Sequence, residues 1–368
     1  MRQPPSVFLH GIGEKDMVTK KRIEWVDLAR ALAILLVVLC HSLERAYPYN
    51  VSRMTQLPQK AQIAAFFGLA VGRLSTPFFM MLSGYLLLDR KYDTEGCIRF
   101  WKKNWLHLFL CTEIWFVIYD LFLYFYKGQS LKTIIYNLLF IKAVDMSHVW
   151  YLYMLIGMYI LIPFVAMGLG SLSPRLLWFP LLFYSLFTFG LQTARVLMNA
   201  LHIDFALSTQ NLAGFSGGVY GLYFLFGYGI KKGGLRRVPG PVLALTMLAA
   251  LAGGTWEQYF AYSRGVTYNI WPDSIFVLLS SLSAFELLSR IKRVPALRLT
   301  KTLARYSFAI YLIHIPVRAV LSPGIAALGL PRPLHLLVIW LLLVVLSLVI
   351  AFLISLIPKV GKYILYIK

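Results

Sequence analysis

Arg30 and His41 bracket an apolar decapeptide, Ala31 to Cys40, near the start of a 368-residue chain. If that stretch is a membrane helix, the eleven-residue step returns both side chains to nearly one face, roughly 16 Å apart along the axis. Ionisable groups in hydrocarbon are costly unless they meet protein or water, so this face is expected to line one continuous internal cavity, with a fixed cation at one depth and a proton acceptor at another. His41 is the leading candidate base, because a neutral imidazole can take a proton near neutral pH. Glu44, three residues on, is placed to orient the ring or stabilise its cation. The competing reading is a helix-end histidine bonded to a carbonyl, with Glu44 in water. Arg30 suits a phosphate or carboxylate, which its planar guanidinium holds with two bonds; the alternatives are a snorkelling anchor or an intrahelical pair with Asp27.

Other polar groups share this apolar setting. Arg73 lies deep in the second hydrophobic stretch, ahead of Pro77 and Ser83-Gly84, which suit a helix bent around a cavity or, more simply, a kink and a packing notch. Arg99, Lys102 and Lys103 alternate with Phe100 and Trp101 in the loop that follows, a composition able to grip phosphates and stack a base, or merely to enforce topology. His148 opens the fourth apolar stretch. Tyr311 and His314 lie within the ninth, where a histidine is a cavity-lining group or a helix–helix hydrogen bond. The remaining histidines carry no argument, and the three cysteines show no metal-ligand or disulfide spacing.

The elements that position these residues are membrane helices. The chain is 59% hydrophobic and 14% charged, with a mean hydropathy of +0.69, outside the range of soluble globular domains. A formal charge of +21 invites a nucleic-acid reading, but the cations sit in short clusters between apolar spans, where they serve topology, and nucleic acid is set aside. Ten spans are expected, near 27–46, 62–88, 104–126, 149–169, 176–194, 214–230, 241–260, 271–290, 304–326 and 334–357. Basic clusters at Lys20–Arg22, Arg90–Lys103, Lys231–Arg237 and Arg290–Arg305 put both termini in the cytoplasm. The fold class is therefore all-α and integral to the membrane, about ten helices around a central polar cavity. Residues 1–22 read as a disordered cytoplasmic extension without a cleavable signal, with Met17 an alternative start, and 23–368 as a single membrane domain.

Arg30 and His41 in the first helix, TPFF and SGYLL in the second, VWYLYMLIGMYILIP in the fourth and YSFAIYLIH in the ninth together resemble the acyltransferase-3 family of ten-helix membrane acyltransferases. The closest flavour is the branch with bacterial glycan O-acetyltransferases and the membrane domain of membrane-bound serine racemases. The resemblance covers essentially everything after residue 20. It implies transfer of an acyl group, usually acetyl, from cytoplasmic acetyl-CoA to a hydroxyl of an extracytoplasmic glycan at the bacterial inner membrane. Arg30 and His41 match the family's motif residues, and the basic stretch maps onto Arg99, Lys102 and Lys103, although the family often has arginine where this chain has lysine. The expected cofactor-binding cations are Arg30, Arg73, Arg99, Lys102 and Lys103; His41 is the base, supported by Glu44. Arg73, Ser83 or Tyr311 would supply the oxyanion donor, and His148 and His314 are further cavity candidates. A carrier for a small solute or glycan is the alternative, since buried ionisable groups and a kinked helix also suit transport. A non-catalytic membrane partner is the third, which leaves Arg30 and His41 without a purpose.

Overall fold

The computed structural model describes residues 23–204, 218–357 and 360–366; the expected N-terminal extension, residues 1–22, lies outside them. Among the described residues every regular element is helical. The main helices are α1 Glu24–Ala46, α2 Gln59–Gly72, α3 Ser75–Leu87, α4 Thr94–Lys127, α5 Trp150–Gly170, α6 Pro174–Ala200, α7 Gly218–Lys231, α8 Gly240–Ser263, α9 Ile275–Ser289, α10 Leu297–Ala327 and α11 Arg332–Ser355. Helix α4 is widened by a π-turn at Trp101–Trp105, and α6 by another at Leu186–Gly190.

Length and apolarity single out seven described segments able to cross a membrane, rather than the ten expected: α1, α2 with α3, α4, α5, α6, α10 and α11. Helices α7, α8 and α9 occupy the other three expected positions. Among the described residues α7 and α9 have 14 and 15 residues, about 21–23 Å of helix against a core of about 30 Å. α8 has 24 residues, but Glu257 and Gln258 interrupt its apolar run. The chain is an all-α membrane protein. Large apolar side chains remain exposed along α6, α8 and α11, as lipid-facing surfaces require.

Helix α1 is the central element, packed against α2, α3, α9, α10 and α11. Acidic Glu24 and Asp27 occupy its first turn, where the helix dipole favours them. It stops at Tyr47, which the following Pro48 forces into an extended conformation (φ −123°, ψ 141°).

The second expected span is two helices. The break falls at Arg73–Leu74, four residues before Pro77, because the proline ring would strike the Arg73 carbonyl and Pro77 has no N–H to bond to it. Pro77 then sits in the first turn of α3, where no N–H is needed. The break turns Arg73 inward, where it is 8% exposed. The small-residue notch is real: a Cβ on Gly84 would collide with the Phe224 carbonyl, and one on Gly227 with the Met81 carbonyl, so α3 and α7 cross backbone to backbone.

The basic loops gather at the end of the bundle where α1 begins. Asp89 pairs with Lys231 at 3.3 Å and with Lys232. Arg290 donates to the carbonyls of Val238 at 2.8 Å and Leu235 at 2.9 Å. Lys301 approaches Glu24 at 3.9 Å. This is the basic end; His41 lies toward the other.

Candidate active site

His41 Nδ1 lies 2.9 Å from Glu44 Oε2. A carboxylate only accepts, so Nδ1 carries a proton, which leaves Nε2 as the nitrogen through which the neutral ring would act as a general base. Glu44 is itself held on three sides: by His41, by Arg73 Nη2 at 3.4 Å and by Arg318 Nη1 at 3.7 Å. Arg318 also donates to the His41 carbonyl at 3.1 Å, fixing the backbone that carries the imidazole. Arg73 donates through Nε to the Ile270 carbonyl at 2.8 Å, and its guanidinium lies 4.0 Å above the Trp271 ring.

His41, Glu44 and Arg73 line a pocket of about 230 Å³ with Cys40, Tyr151, Trp271 and Tyr311. On its basic side lies a chamber of about 640 Å³ containing Arg30, Asp27, Ser83 and Tyr159. Phe79 and Tyr151 line both spaces, with their rings 6.4 Å apart. The expected tunnel is thus seen as two adjoining spaces that meet at an aromatic constriction, Phe79 and Tyr151. The two α1 side chains do share an inward face, and neither is turned to lipid. α1 sets their common direction; a side chain from α3 and one from α5 decide whether the spaces connect.

Beyond Arg30 the chamber shares Arg90 and Asn104 with a cleft of about 480 Å³ lined by Lys91, Arg99 and Lys103. Lys102 lines neither space. Trp101 is not an open platform: its indole donates to the Ile160 carbonyl at 3.1 Å and packs on Phe164. The π-turn lets Trp105 reach α5 as well, donating to the Ile156 carbonyl at 3.2 Å.

Several expectations change with this geometry. Arg73 belongs with His41 and Glu44, not with the cations of the basic end, because the α2–α3 break sets its depth. Ser83 lines the chamber, and its hydroxyl is committed to the Phe79 carbonyl at 2.9 Å. Tyr311 reaches the His41 pocket but donates its hydroxyl to the His148 carbonyl. Arg73 is thus the oxyanion candidate whose N–H groups face the pocket. His314 is fully buried behind His41, ring centroids 5.3 Å apart, with Nδ1 bonded at 2.7 Å to the Tyr311 carbonyl of its own helix rather than to another helix.

Arg318 was not among the candidates singled out from the sequence, though a signal exists: a charge four residues after His314 in an apolar helix falls on the same face. Trp271 had no comparable signal. Its position depends on Gln258, whose Oε1 accepts from the Ile270 N–H at 3.3 Å, and on Glu257, which accepts from Ser274 at 3.2 Å. The two polar residues that weaken α8 as a span pin the loop that covers the pocket.

The family model described as an acyltransferase domain, that of the acyltransferase-3 family, matches residues 23–356. The chain belongs to the acyltransferase-3 family. No curated protein and no solved structure matches it. The match runs from the residue before α1 to the residue after α11, so the whole described bundle is the acyltransferase domain. In an acyltransferase, an imidazole with a free lone pair, a carboxylate behind it and a guanidinium beside it are the parts that activate a hydroxyl and hold a developing oxyanion.

Proposed function

We propose that this acyltransferase moves an acyl group, in the simplest case acetyl, from coenzyme A to a hydroxyl of an extracytoplasmic glycan at the bacterial inner membrane. The observation that carries the reading is the series of spaces leading from a basic cleft through the Arg30 chamber to His41. The basic end faces the cytoplasm, as its clustered cations favour, and takes the donor. Arg99, Lys103 and Arg90 hold its phosphates, with Arg30 further in. The thioester arm then extends along the chamber and passes between Phe79 and Tyr151.

In the pocket, His41 Nε2 takes the proton of the acceptor hydroxyl as its oxygen attacks the thioester carbonyl. Glu44 stabilises the resulting imidazolium, and Arg73 donates to the tetrahedral oxyanion. Collapse breaks the carbon–sulfur bond, and the departing thiolate takes the proton from His41. The products are ester and free coenzyme A, with no net proton change on the protein.

The test is purified protein in liposomes with labelled acetyl-CoA and glycan acceptor. His41→Ala should abolish transfer and leave coenzyme A binding intact; undiminished turnover removes His41 from the chemistry. Solute uptake without acyl transfer would favour a carrier.

A further inference from the structure

Past His41, away from the chamber, lies a fourth space of about 310 Å³, lined by Trp150, Val219, Tyr220, Trp271, Pro272 and Asp273. Trp150, Trp271 and Pro272 also line the His41 pocket, so the two adjoin. The Trp150 and Tyr220 rings lie 5.0 Å apart at 32°, giving a tilted aromatic wall, and Trp150 and Trp271 are 36% and 46% exposed.

A second observation comes from the neighbouring pocket. The Tyr119 hydroxyl donates to the Leu312 carbonyl at 2.8 Å, so its 3.0 Å contact with His148 must be donated by His148 Nε2. His148 Nδ1 has no partner, and the residue is 2% exposed. An unpaired buried charge is costlier than a neutral ring, so Nδ1 is a lone pair enclosed in the wall of the pocket, and His148 serves to position that wall. His41 lines that pocket with Nε2 as an acceptor, and the Asp273 carboxylate is a second acceptor next door. Together they suit a ligand bearing several O–H or N–H donors.

Aromatic walls and a carboxylate also describe a site for an organic cation. Arg73 weighs against that reading, because its guanidinium already covers the Trp271 ring at 4.0 Å and would repel a second positive charge. A neutral ring with apolar C–H faces and hydroxyls at its rim meets every group present.

We infer that this outer space is the acceptor subsite, and that it seats a pyranose ring of the glycan against Trp150, Tyr220 and Trp271. Asp273 accepts from the rim hydroxyls, and the reacting hydroxyl reaches His41. This rests on the acyl-transfer reading above.

Saturation-transfer NMR on the full protein in lipid nanodiscs tests it, with methyl glucopyranoside and N-acetylglucosamine oligomers as probes and choline as the cationic control. Ring C–H protons of a sugar probe should receive saturation and choline should not. Trp150→Ala and Asp273→Asn should each weaken sugar binding and raise the acceptor KM about tenfold, with coenzyme A binding unchanged by calorimetry. Coenzyme A that fails to bind wild-type protein would refute the acyl-transfer reading. Donor binding and transfer that persist with an acceptor KM indifferent to both substitutions would refute the subsite alone, as would binding of choline in place of sugars.

Discussion

Glu44→Gln isolates the electrostatic core of the site. The substitution keeps shape and an acceptor oxygen for the His41 Nδ1 proton, but removes the charge that His41, Arg73 and Arg318 converge on at 2.9, 3.4 and 3.7 Å. In the proposed mechanism His41 starts neutral and becomes a cation in the transition state, and only then does Glu44 interact with it charge to charge. A unit pair about 4 Å apart is worth about 4 kcal/mol at an effective dielectric of about 20. Glu44 is 33% exposed, so solvent screening reduces this to about 2–3 kcal/mol. That corresponds to a fall in kcat of about 30- to 150-fold, with the donor KM nearly unchanged because Glu44 is remote from the Arg30 chamber. Steady-state acyl transfer from labelled thioester measures both constants. A kcat within threefold of wild type would show that Glu44 does not stabilise a developing imidazolium, and a loss confined to KM would reassign it to binding.

The remaining predictions follow the cavities outward and then the scaffold. Phe79→Trp should narrow the constriction and lower kcat/KM for the thioester while leaving binding of desulfo nucleotide fragments unchanged; calorimetry beside turnover separates the two. Arg99→Ala and Lys103→Ala should each raise the coenzyme A Kd severalfold in a salt-dependent way, whereas Lys102→Ala, which lines neither the cleft nor the chamber, should not. Gly84→Ala drives a methyl into the Phe224 carbonyl and should cost about 1–3 kcal/mol or more, read as a lower Tm in detergent. At Asp89, burial raises the pKa, but hydrogen bonds and charge from Lys232 and Lys231 outweigh it and hold the carboxyl below its ordinary 3.8. A depressed folded-state pKa contributes stability above the unfolded value that is lost as pH falls through the folded one. The Tm gap between wild type and Asp89→Asn should therefore be present at neutral pH, within about 1 kcal/mol for so exposed a pair, and close only in strong acid.

The sequence by itself determined the solvent, the helical class and the common face of Arg30 and His41. These are properties of one helix: apolar run length fixes bilayer crossing, and the 3.6-residue period fixes which side chains share a direction. The His41–Glu44 contact was legible for the same reason, since three residues on a helix are neighbours whatever surrounds them. The place of Arg73 beside Glu44 was not legible in the same way, because it depends on where α2 breaks, four residues ahead of Pro77. Only the tertiary structure decided the rest. Phe79 and Tyr151 constrict the path because α3 and α5 bring them together, Arg318 meets Glu44 because α10 packs against α1, and Trp271 roofs the pocket because Glu257 and Gln258 hold its loop. None of these pairings is encoded by local spacing; each is a contact between segments far apart in the chain, settled by how the bundle buries its polar groups.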